Sequence, residues 1–312
     1  MSVRQAPARA GPNEREADRT QTSEGTSPTD PCCRSCIRAE TPLSQAASPL
    51  PLTRSQGAHF RELLLDRRVR EEEGVFVVEG TRAVRDLLAR YSEEILTIVT
   101  APSYLQKEEQ GDRVVRLASS ATQYSCSDLQ FLKLSDLDEP QGILAVVRQP
   151  TWDEAAILRQ QFVLGIFGEQ LQDPANVGAI IRTAAALNAS ALWLTPESAD
   201  LYHPKVVRAT SGVLLSLPVF SARGVEGLIR HGCDVFAAEV LGEGTVSIDE
   251  IRQAPRKLIL ALGNESRGLS AQIRRQAVTR FTIPLSREVE SLNVAATAAI
   301  ATFYFSRLPK AG

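Results

Sequence analysis

Residues 162–194 read FVLGIFGEQLQDPANVGAIIRTAAALNASALWL and contain the pattern that decides the fold. A short apolar run, Phe162 to Phe167, is followed by a helical stretch and by a second apolar run, Ala191 to Leu194. Further apolar runs stand at Val235 to Ala238 and at Leu258 to Leu262. Short, nearly continuous apolar runs separated by helical stretches are typical of a parallel sheet covered on both faces. The C-terminal half is therefore predicted to be an α/β domain with a parallel sheet.

The chain ahead of this domain shows a second alternation of helices and strands. Its strand patterns stand at Val75 to Val78, Ile95 to Val99, Val114 to Leu117 and Ile143 to Val147, and its helical patterns at Arg54 to Arg70 and Arg82 to Tyr91. Such alternation is typical of a compact α/β module. Gln149, Pro150 and Thr151 supply a boundary, so we expect a smaller α/β domain over residues 53–149 and the larger one over residues 160–312.

Residues 1–52 contain no Phe, Trp or Tyr and are scattered with Pro, Ser, Thr and Arg. Such a segment cannot bury enough apolar surface to offset the entropy of ordering it, so we expect a disordered tail. The tail holds three of the five cysteines, Cys32, Cys33 and Cys36. Cys33 and Cys36 form a CxxC pair, which is half a zinc site, a redox couple or two incidental thiols, and no second pair follows to complete a zinc site. An odd number of cysteines without regular spacing indicates a reducing compartment, and we expect a cytoplasmic protein with no metal.

The charge balance favours no partner class, because Lys and Arg number 35 against 37 Asp and Glu and the formal net charge is -2. A chain without an overall positive field contacts nucleic acid only through local patches. The basic helix from Arg54 to Arg70 is either such a patch or a solvated face, since three acidic residues, Glu71 to Glu73, follow it. The apolar runs are too short to span a membrane, so no membrane contact is expected.

Ligands of parallel sheets bind beyond the carboxyl ends of the strands, so the segment after the first run is the first candidate site. Asp173 and Pro174 suit a turn, and Asn176 suits a helix N-cap, with Arg182 nearly two turns further on. Asn176 is therefore a cap or a site residue. Arg182 stands in an apolar, Ala-rich stretch, where a lone guanidinium is costly unless paired or only partly buried. It is a site residue or a structural ion pair.

Two later segments are also candidates. Residues 263–270, GNESRGLS, form a polar loop with two glycines that is neither a phosphate-binding loop nor a dinucleotide-binding one. By residue types alone it is a ligand loop or a plain strand-to-helix turn. In residues 281–300, Pro284 ends strand pairing and frees the backbone groups of Ile283 and Leu285 for another partner. Ser291 and Asn293 are capping residue types ahead of an Ala-rich helix.

In this order the three segments closely resemble the three motifs of the SpoU/TrmH family of SPOUT methyltransferases. The resemblance covers residues from about 160 to 307 and includes the middle section from Tyr202 to Gly212 and Leu217 to Val219. Residues 54–148, with Val78 to Gly80 and Arg82, resemble the ribosomal-protein-like substrate-binding domain often fused in front of it. Two small departures are Ser266 and Asn188, positions where the family often has Gly.

The resemblance implies a deep trefoil knot that binds S-adenosylmethionine, and methylation of a ribose 2′-hydroxyl in RNA by a homodimer. The fused domain favours ribosomal RNA over transfer RNA. The family's cofactor contacts fall on Leu262, Gly263, Glu265, Ile283, Leu285, Ser291 and Leu292. Its catalytic positions fall on Asn176, Arg182, Glu265, Ser291 and Asn293.

The expected chemistry is alignment of an in-line displacement by the ribose oxygen on an electrophilic methyl group. Arg182 cannot serve as a base, because a guanidinium is always protonated; it is expected to hold a phosphate and to stabilise the developing alkoxide, directly or through Ser291. Asn176 and Asn293 would orient the ribose. The alternatives are a transfer-RNA methyltransferase and a non-catalytic RNA-binding protein on the same scaffold. A third alternative, a nucleotide-dependent oxidoreductase, is disfavoured because the dinucleotide-binding fingerprint is missing.

Overall fold

The computed structural model describes residues 48–107, 120–210, 212–286 and 289–311. The strand expected at Val114 to Leu117, the three tail cysteines and most of the expected disordered tail lie outside these residues.

An N-terminal sheet of five strands has the order β1-β4-β3-β5-β2. Its strands are β1 (Leu50–Pro51), β2 (Val75–Glu79), β3 (Ile95–Thr100), β4 (Thr122–Ser125) and β5 (Ile143–Arg148). Strand β5 runs antiparallel to both neighbours, whereas β1, β4 and β3 are parallel to one another. The helices are α1 (Arg54–Leu65), α2 (Arg67–Glu73), α3 (Thr81–Arg90), α4 (Pro102–Lys107) and α5 (Asp128–Leu134), with a 3-10 turn at Ser92–Glu94.

The last residues of the expected tail pack against the N-terminal sheet. Leu50 and Pro51 pair with Tyr124 and Ser125, and Leu52 is buried against the α1 side of the sheet. The expected disorder over residues 1–52 is therefore wrong at its end, because one apolar side chain and an open strand edge are enough to hold this stretch. Strand β4 was not predicted, since its sequence TQYS has polar and half-buried residues.

The basic helix expected from Arg54 to Arg70 is two helices. Asp66 adopts an extended conformation with φ -108 and ψ 117, and its carboxylate accepts a hydrogen bond of 2.8 Å from the amide of Arg68. An Asp in this conformation ends one helix and caps the next. Gly74 ends the second helix in the left-handed conformation, at φ 64.

A C-terminal sheet of seven strands has the order β10-β12-β9-β11-β6-β7-β8. Every pairing in it is parallel, which confirms the predicted fold class. The strands are β6 (Val163–Gly168), β7 (Ala191–Leu194), β8 (Val219–Ser221), β9 (Asp234–Ala238), β10 (Val246–Ser247), β11 (Lys257–Leu262) and β12 (Thr279–Thr282). The helices are α6 (Glu154–Leu158), α7 (Pro174–Ala186), α8 (Pro204–Ala209), α9 (Glu226–Arg230), α10 (Ala271–Gln276) and α11 (Val294–Arg307), with 3-10 turns at Leu214–Ser216 and Ile248–Glu250.

The two sheets share a hydrophobic core. One buried cluster contains Val84 and Ile143 from the N-terminal domain and Ile180 and Val206 from the C-terminal domain. The Arg70 guanidinium, 2% exposed, pairs across this boundary with the carboxylate of Asp200. A buried arginine with a buried partner fixes the orientation of the groups it joins, because breaking the pair leaves an uncompensated charge. No helix of the described residues is long and apolar enough to cross a bilayer.

Candidate functional site

The three segments identified from the sequence emerge at one edge of the C-terminal sheet. Strand β11 pairs in parallel with β6 on one side and with β9 on the other, and β12 pairs in parallel with β9. The carboxyl ends of these four strands therefore lie at the same edge. The first segment follows β6, the loop of residues 263–270 follows β11, and the last segment follows β12.

The start of α7 places Asn176 inside the helix. The N-cap is Asp173, whose carboxylate accepts a hydrogen bond of 2.9 Å from the amide of Ala175, and Pro174 takes the first helical position. The prediction that Asn176 caps this helix is therefore wrong: Asp followed by Pro is the stronger start signal. Asn176 is buried, at 7% exposure, so its side chain needs partners within the protein.

Those partners come from the other two segments. The Nδ2 of Asn293 donates to the Oδ1 of Asn176 at 2.9 Å, and the Nδ2 of Asn176 donates to the Oε1 of Glu265 at 3.0 Å. The direction of these bonds follows from the helix cap of α11, where the Oδ1 of Asn293 accepts from the amide of Ala295 at 2.8 Å. Because that oxygen is occupied as an acceptor, only the Nδ2 of Asn293 is left to face Asn176. A chain of hydrogen bonds thus joins all three segments.

Glu265 is the acceptor at the end of this chain. Its carboxylate also receives the backbone amides of Gln172 at 3.4 Å and of Asp173 at 3.3 Å. Burial raises the pKa of the Glu265 carboxyl, but hydrogen bonds from Asn176, its own backbone amide, and the amides of Asp173 and Gln172 outweigh burial and hold this pKa below its ordinary value. Glu265 therefore stands as a carboxylate that fixes the loop after β6.

The loop of residues 263–270 is held by Asn264. Its Nδ2 donates to the carbonyl of Gln170 at 2.8 Å, and its Oδ1 accepts from the amides of Ser266 and Arg267 at 3.0 and 3.1 Å. Gly268 turns the chain at φ +67, whereas Ser266 is not among the residues with positive φ, so the backbone at this departure from the family does not require glycine. Asn188 does adopt φ 56, as its residue type allows.

Gly263 is the tightest point of the same loop. A Cβ placed on it would overlap the main chain of Gly268 and Leu269. Only glycine permits this approach of two backbone segments directly after β11, at the place where a ligand loop begins.

Arg182 does not lie in the apolar interior. Its side chain is exposed on α7, and in the part of the chain that the structure describes it makes no hydrogen bond or ion pair. The expected cost of a buried guanidinium therefore does not apply, because the apolar neighbours Ile180 and Ile181 face the core while Arg182 points outward. The Arg182 guanidinium lies nearly two helical turns beyond Asn176 and is exposed, so it is available for an external anion.

The segment after β12 is open. Ser291 is exposed, Leu292 is half-buried and Leu285 is 37% exposed. In the described residues 283–286 and 289–292, no main-chain group bonds to another described residue. The predicted residues Ile283, Leu285, Ser291 and Leu292 thus have free backbone groups at the edge, but no described contact joins Ser291 to Arg182.

Sequence reasoning missed the loop after β9. Ala238 pairs with Phe281, and the amide of Glu239 donates to the carbonyl of Phe281 at 2.9 Å, so this loop emerges between the ends of β11 and β12. It carries two exposed apolar side chains, Val240 at 60% and Leu241 at 81%. The signal was present, because the apolar run before the loop was recognised and the two glycines in residues 239–244, EVLGEG, resemble those after β11.

The other reactive groups lie away from this edge. Cys126 is buried in the N-terminal domain, and burial, followed by the nearby Asp128 carboxylate, raises the pKa of its thiol to about 11. Cys233 is a second buried free thiol, whose pKa burial also raises. The described residues contain no group of three or more His, Cys, Asp or Glu side chains placed to hold a metal.

A parallel sheet with three polar loops at one carboxyl edge, preceded by a smaller α/β domain, defines a two-domain α/β protein with a ligand site at that edge. Comparisons with known proteins specify it further. The SpoU rRNA Methylase family model matches residues 164–303, and the model of the MRM3-like substrate binding domain matches residues 60–145. The C-terminal domain of this chain belongs to the SpoU rRNA Methylase family.

Relatives and solved structures span both domains. The chain is 29% identical over 248 residues to an uncharacterized tRNA/rRNA methyltransferase of Synechocystis sp., covering 78% of this chain and 89% of that protein. It is also 29% identical over 261 residues to a 23S rRNA (uridine(2479)-2'-O)-methyltransferase of Streptomyces viridochromogenes, covering 80% and 89%. The crystal structure of an AdoMet-bound rRNA methyltransferase from Sinorhizobium meliloti matches with TM-score 0.70 and 26% identity over 83% of this chain and 96% of that one.

Proposed function

We propose that this protein transfers a methyl group from S-adenosylmethionine to a ribose 2′-hydroxyl of RNA, and that the RNA is ribosomal. The observation that carries this function is the chain of hydrogen bonds from Asn293 through Asn176 to Glu265, which joins the three motif segments at the carboxyl edge of the sheet. The relative from Streptomyces viridochromogenes and the solved structure from Sinorhizobium meliloti are named as rRNA methyltransferases, which supports that choice of substrate.

The edge fits the methyl donor. S-adenosylmethionine has a flat apolar base and several polar groups, and the edge offers free backbone groups after β12 together with the exposed apolar side chains Val240, Leu241 and Leu285. The residues that would hold it are Leu262, Gly263, Glu265, Ile283, Leu285, Ser291 and Leu292, with the loop after β9 as a further wall. When bound, S-adenosylmethionine supplies an electrophilic sulfonium methyl group.

The residues of this chain position the nucleophile. The exposed guanidinium of Arg182 holds an RNA phosphate and stabilises the alkoxide that develops as the ribose hydroxyl releases its proton to water. The hydroxyl of Ser291 lies on an open segment and orients the ribose together with the free amide hydrogen of Asn293. Asn176, with both ends of its amide engaged, positions Asn293 and Glu265. Arg182 remains charged throughout and is not the base.

The assembly is proposed to be a homodimer with a trefoil knot. The knot is supported by the path of the chain: β12 lies beyond β9, yet the helix α11 that follows it packs beside α7 through Asn293 and Asn176. The exposed position of Arg182 allows it to act within its own subunit or across the dimer. Residues 53–149 form the RNA-binding domain and residues 160–312 the methyltransferase domain, in the cytoplasm.

The experiment is methyl transfer from labelled S-adenosylmethionine to ribosomal and transfer RNA, with the product mapped by resistance of one linkage to alkaline cleavage. Ribosomal RNA from cells with and without the gene is mapped in parallel. We expect one protected linkage that depends on the gene. Transfer to transfer RNA alone would favour the second substrate class, and donor binding without any transfer would favour a non-catalytic RNA-binding protein.

A further inference from the structure

The loop after β9 is anchored by arginines from two neighbouring elements. The Glu239 carboxylate is only 10% exposed, and it lies 2.9 Å from the Nε of Arg274 on α10 and 3.5 Å from the Nη1 of Arg280 on β12. Arg280 also reaches further along the loop, where its Nη2 donates to the carbonyl of Glu243 at 2.7 Å. One guanidinium thus forms an ion pair with the start of the loop and a hydrogen bond near its end.

The loop leaves room for this contact. Gly244 adopts φ +74, and a Cβ at that position would collide with the guanidinium of Arg280. The tip is closed by Thr245, whose hydroxyl donates to the carbonyl of Gly242 at 2.7 Å. The path of the backbone is therefore determined by side chains, although the loop contains two glycines that would otherwise leave it free.

The position of the loop connects Arg280 with the methyl donor. Ala237 pairs with Ala261 and Ala238 pairs with Phe281, so Glu239 emerges level with the starts of the Gly263 loop and of the segment after β12. Val240 and Leu241 project into solvent there. Ordering a flexible loop costs conformational entropy, and a loop that is already held before the ligand binds does not subtract this cost from the binding free energy.

We propose that Arg280 is a positioning residue for the methyl donor, because it holds the Glu239–Gly244 loop in the conformation that binds the donor. Arg280 does not touch the reacting atoms. The inference rests on the proposed function, since it takes S-adenosylmethionine as the ligand at this edge. Arg274 contacts the same loop only through Glu239, whereas Arg280 contacts both Glu239 and Glu243. Loss of Arg280 should therefore weaken donor binding more than loss of Arg274.

The test uses the full-length protein and the variants Arg280→Ala, Arg280→Lys and Glu239→Gln. The matched control is Arg159→Ala, which removes an exposed arginine paired with Asp153 at 3.5 Å outside the edge. Donor affinity is measured by calorimetry with S-adenosylmethionine and with S-adenosylhomocysteine, and kcat and KM for both substrates are measured by methyl transfer. Amide hydrogen exchange of residues 240–244 reports the order of the loop.

For Arg280→Ala we expect a weakening of donor binding and a rise in the KM for S-adenosylmethionine of about tenfold, which corresponds to about 1.4 kcal/mol. The kcat at saturating donor and the KM for RNA stay within about twofold, and the loop amides exchange faster. Arg280→Lys should give an intermediate donor affinity, because an ammonium group lacks the planar fork of a guanidinium and cannot reach both acceptors. Glu239→Gln shifts donor affinity in the same direction, and Arg159→Ala does not shift it.

Donor affinity within twofold of wild type in folded Arg280→Ala would overturn the inference, as would a loss confined to kcat or to RNA binding. If Arg280→Ala does not fold, Arg280→Lys and Glu239→Gln decide in the same way. Wild-type protein that binds the donor but methylates no RNA would contradict the proposed function without contradicting the role of Arg280 in donor binding. Wild-type protein that binds no donor would overturn both.

Discussion

Asn293 follows Asn176 by 117 residues, and its amide nitrogen donates to the amide oxygen of Asn176 at 2.9 Å. Each asparagine uses its other amide atom elsewhere: Asn293 caps α11 and Asn176 donates to Glu265. Exchanging the oxygen and nitrogen of either side-chain amide would place two donors or two acceptors against each other. Helix α7, which follows the strand β6, and helix α11 are therefore joined to each other at the carboxyl edge of the C-terminal sheet.

We predict that the two asparagines act as a unit. Asn176→Ala removes the hydrogen bond to the Glu265 carboxylate and the one from Asn293 at a buried position, so it should lower the free energy of unfolding by about 1–3 kcal/mol. Asn293→Ala loses the same bond and a helix cap, which adds about 1 kcal/mol. In the double variant the losses should fall short of the sum by at least about 0.5 kcal/mol. Urea unfolding measures all four proteins, and strictly additive losses would show that the bond contributes nothing.

Arg182 should affect catalysis without affecting stability. Because its side chain is exposed and makes no hydrogen bond or ion pair with the described residues, Arg182→Ala should change the free energy of unfolding by less than about 0.5 kcal/mol. Methyl transfer in a single turnover should fall by about 100-fold or more, since the alkoxide loses its cation. The control is Arg230→Ala, an exposed arginine on α9. Full single-turnover transfer by Arg182→Ala with normal RNA binding would remove Arg182 from the mechanism.

The sequence predicted the central strands of the C-terminal sheet well, because a strand buried on both faces appears in the sequence as a run of apolar residues. The runs Ala191–Leu194 and Leu258–Leu262 match β7 and β11 to within one residue, since both strands are buried on both faces and carry apolar residues throughout. Two other strands, of four and two residues, contain no such apolar run. Thr122–Ser125 and Val246–Ser247 take their strand conformation from a neighbour, not from their own side chains.

The site was predictable only in part, because side-chain partners are set by tertiary contacts. Composition placed Arg182 in an apolar stretch, but helix geometry turns it to solvent while Ile180 and Ile181 are fully buried. Asn176 looked like a cap, and its contacts with Glu265 and Asn293 depend on three strands meeting at one edge. The loop at Glu239 escaped notice because its anchors, Arg274 and Arg280, come later in the chain.

Glu265 should make stability depend on acid pH. The folded protein lowers the pKa of this carboxyl below its ordinary 4.5, so its contribution to stability is fully present above 4.5 and is lost as the pH falls through the lowered folded value. Wild type should therefore be more stable than Glu265→Gln at neutral pH, and the gap should close below pH 4.5. Urea unfolding of both proteins across that range is the measurement. Other carboxyls titrate in both proteins and cancel, so a gap that stays constant or widens would contradict the prediction.

Gly263 should tolerate no side chain. A Cβ on this residue meets main-chain atoms of Gly268 and Leu269, which cannot move aside like the end of a flexible side chain, so Gly263→Ala has to displace the 263–270 loop. We expect a loss of stability of about 1–3 kcal/mol from overpacking and a loss of donor binding, because Glu265 shifts with the loop. Gly57→Ala is the control: its Cβ would meet only the Leu52 side chain at 3.7 Å, and inside α1 the alanine should stabilise the fold by about 0.5–1 kcal/mol. Calorimetric donor binding and urea unfolding of the two variants separate the effects. Donor affinity retained by Gly263→Ala would mean that the loop can move without harm, and that the close approach of the two backbone segments serves packing alone.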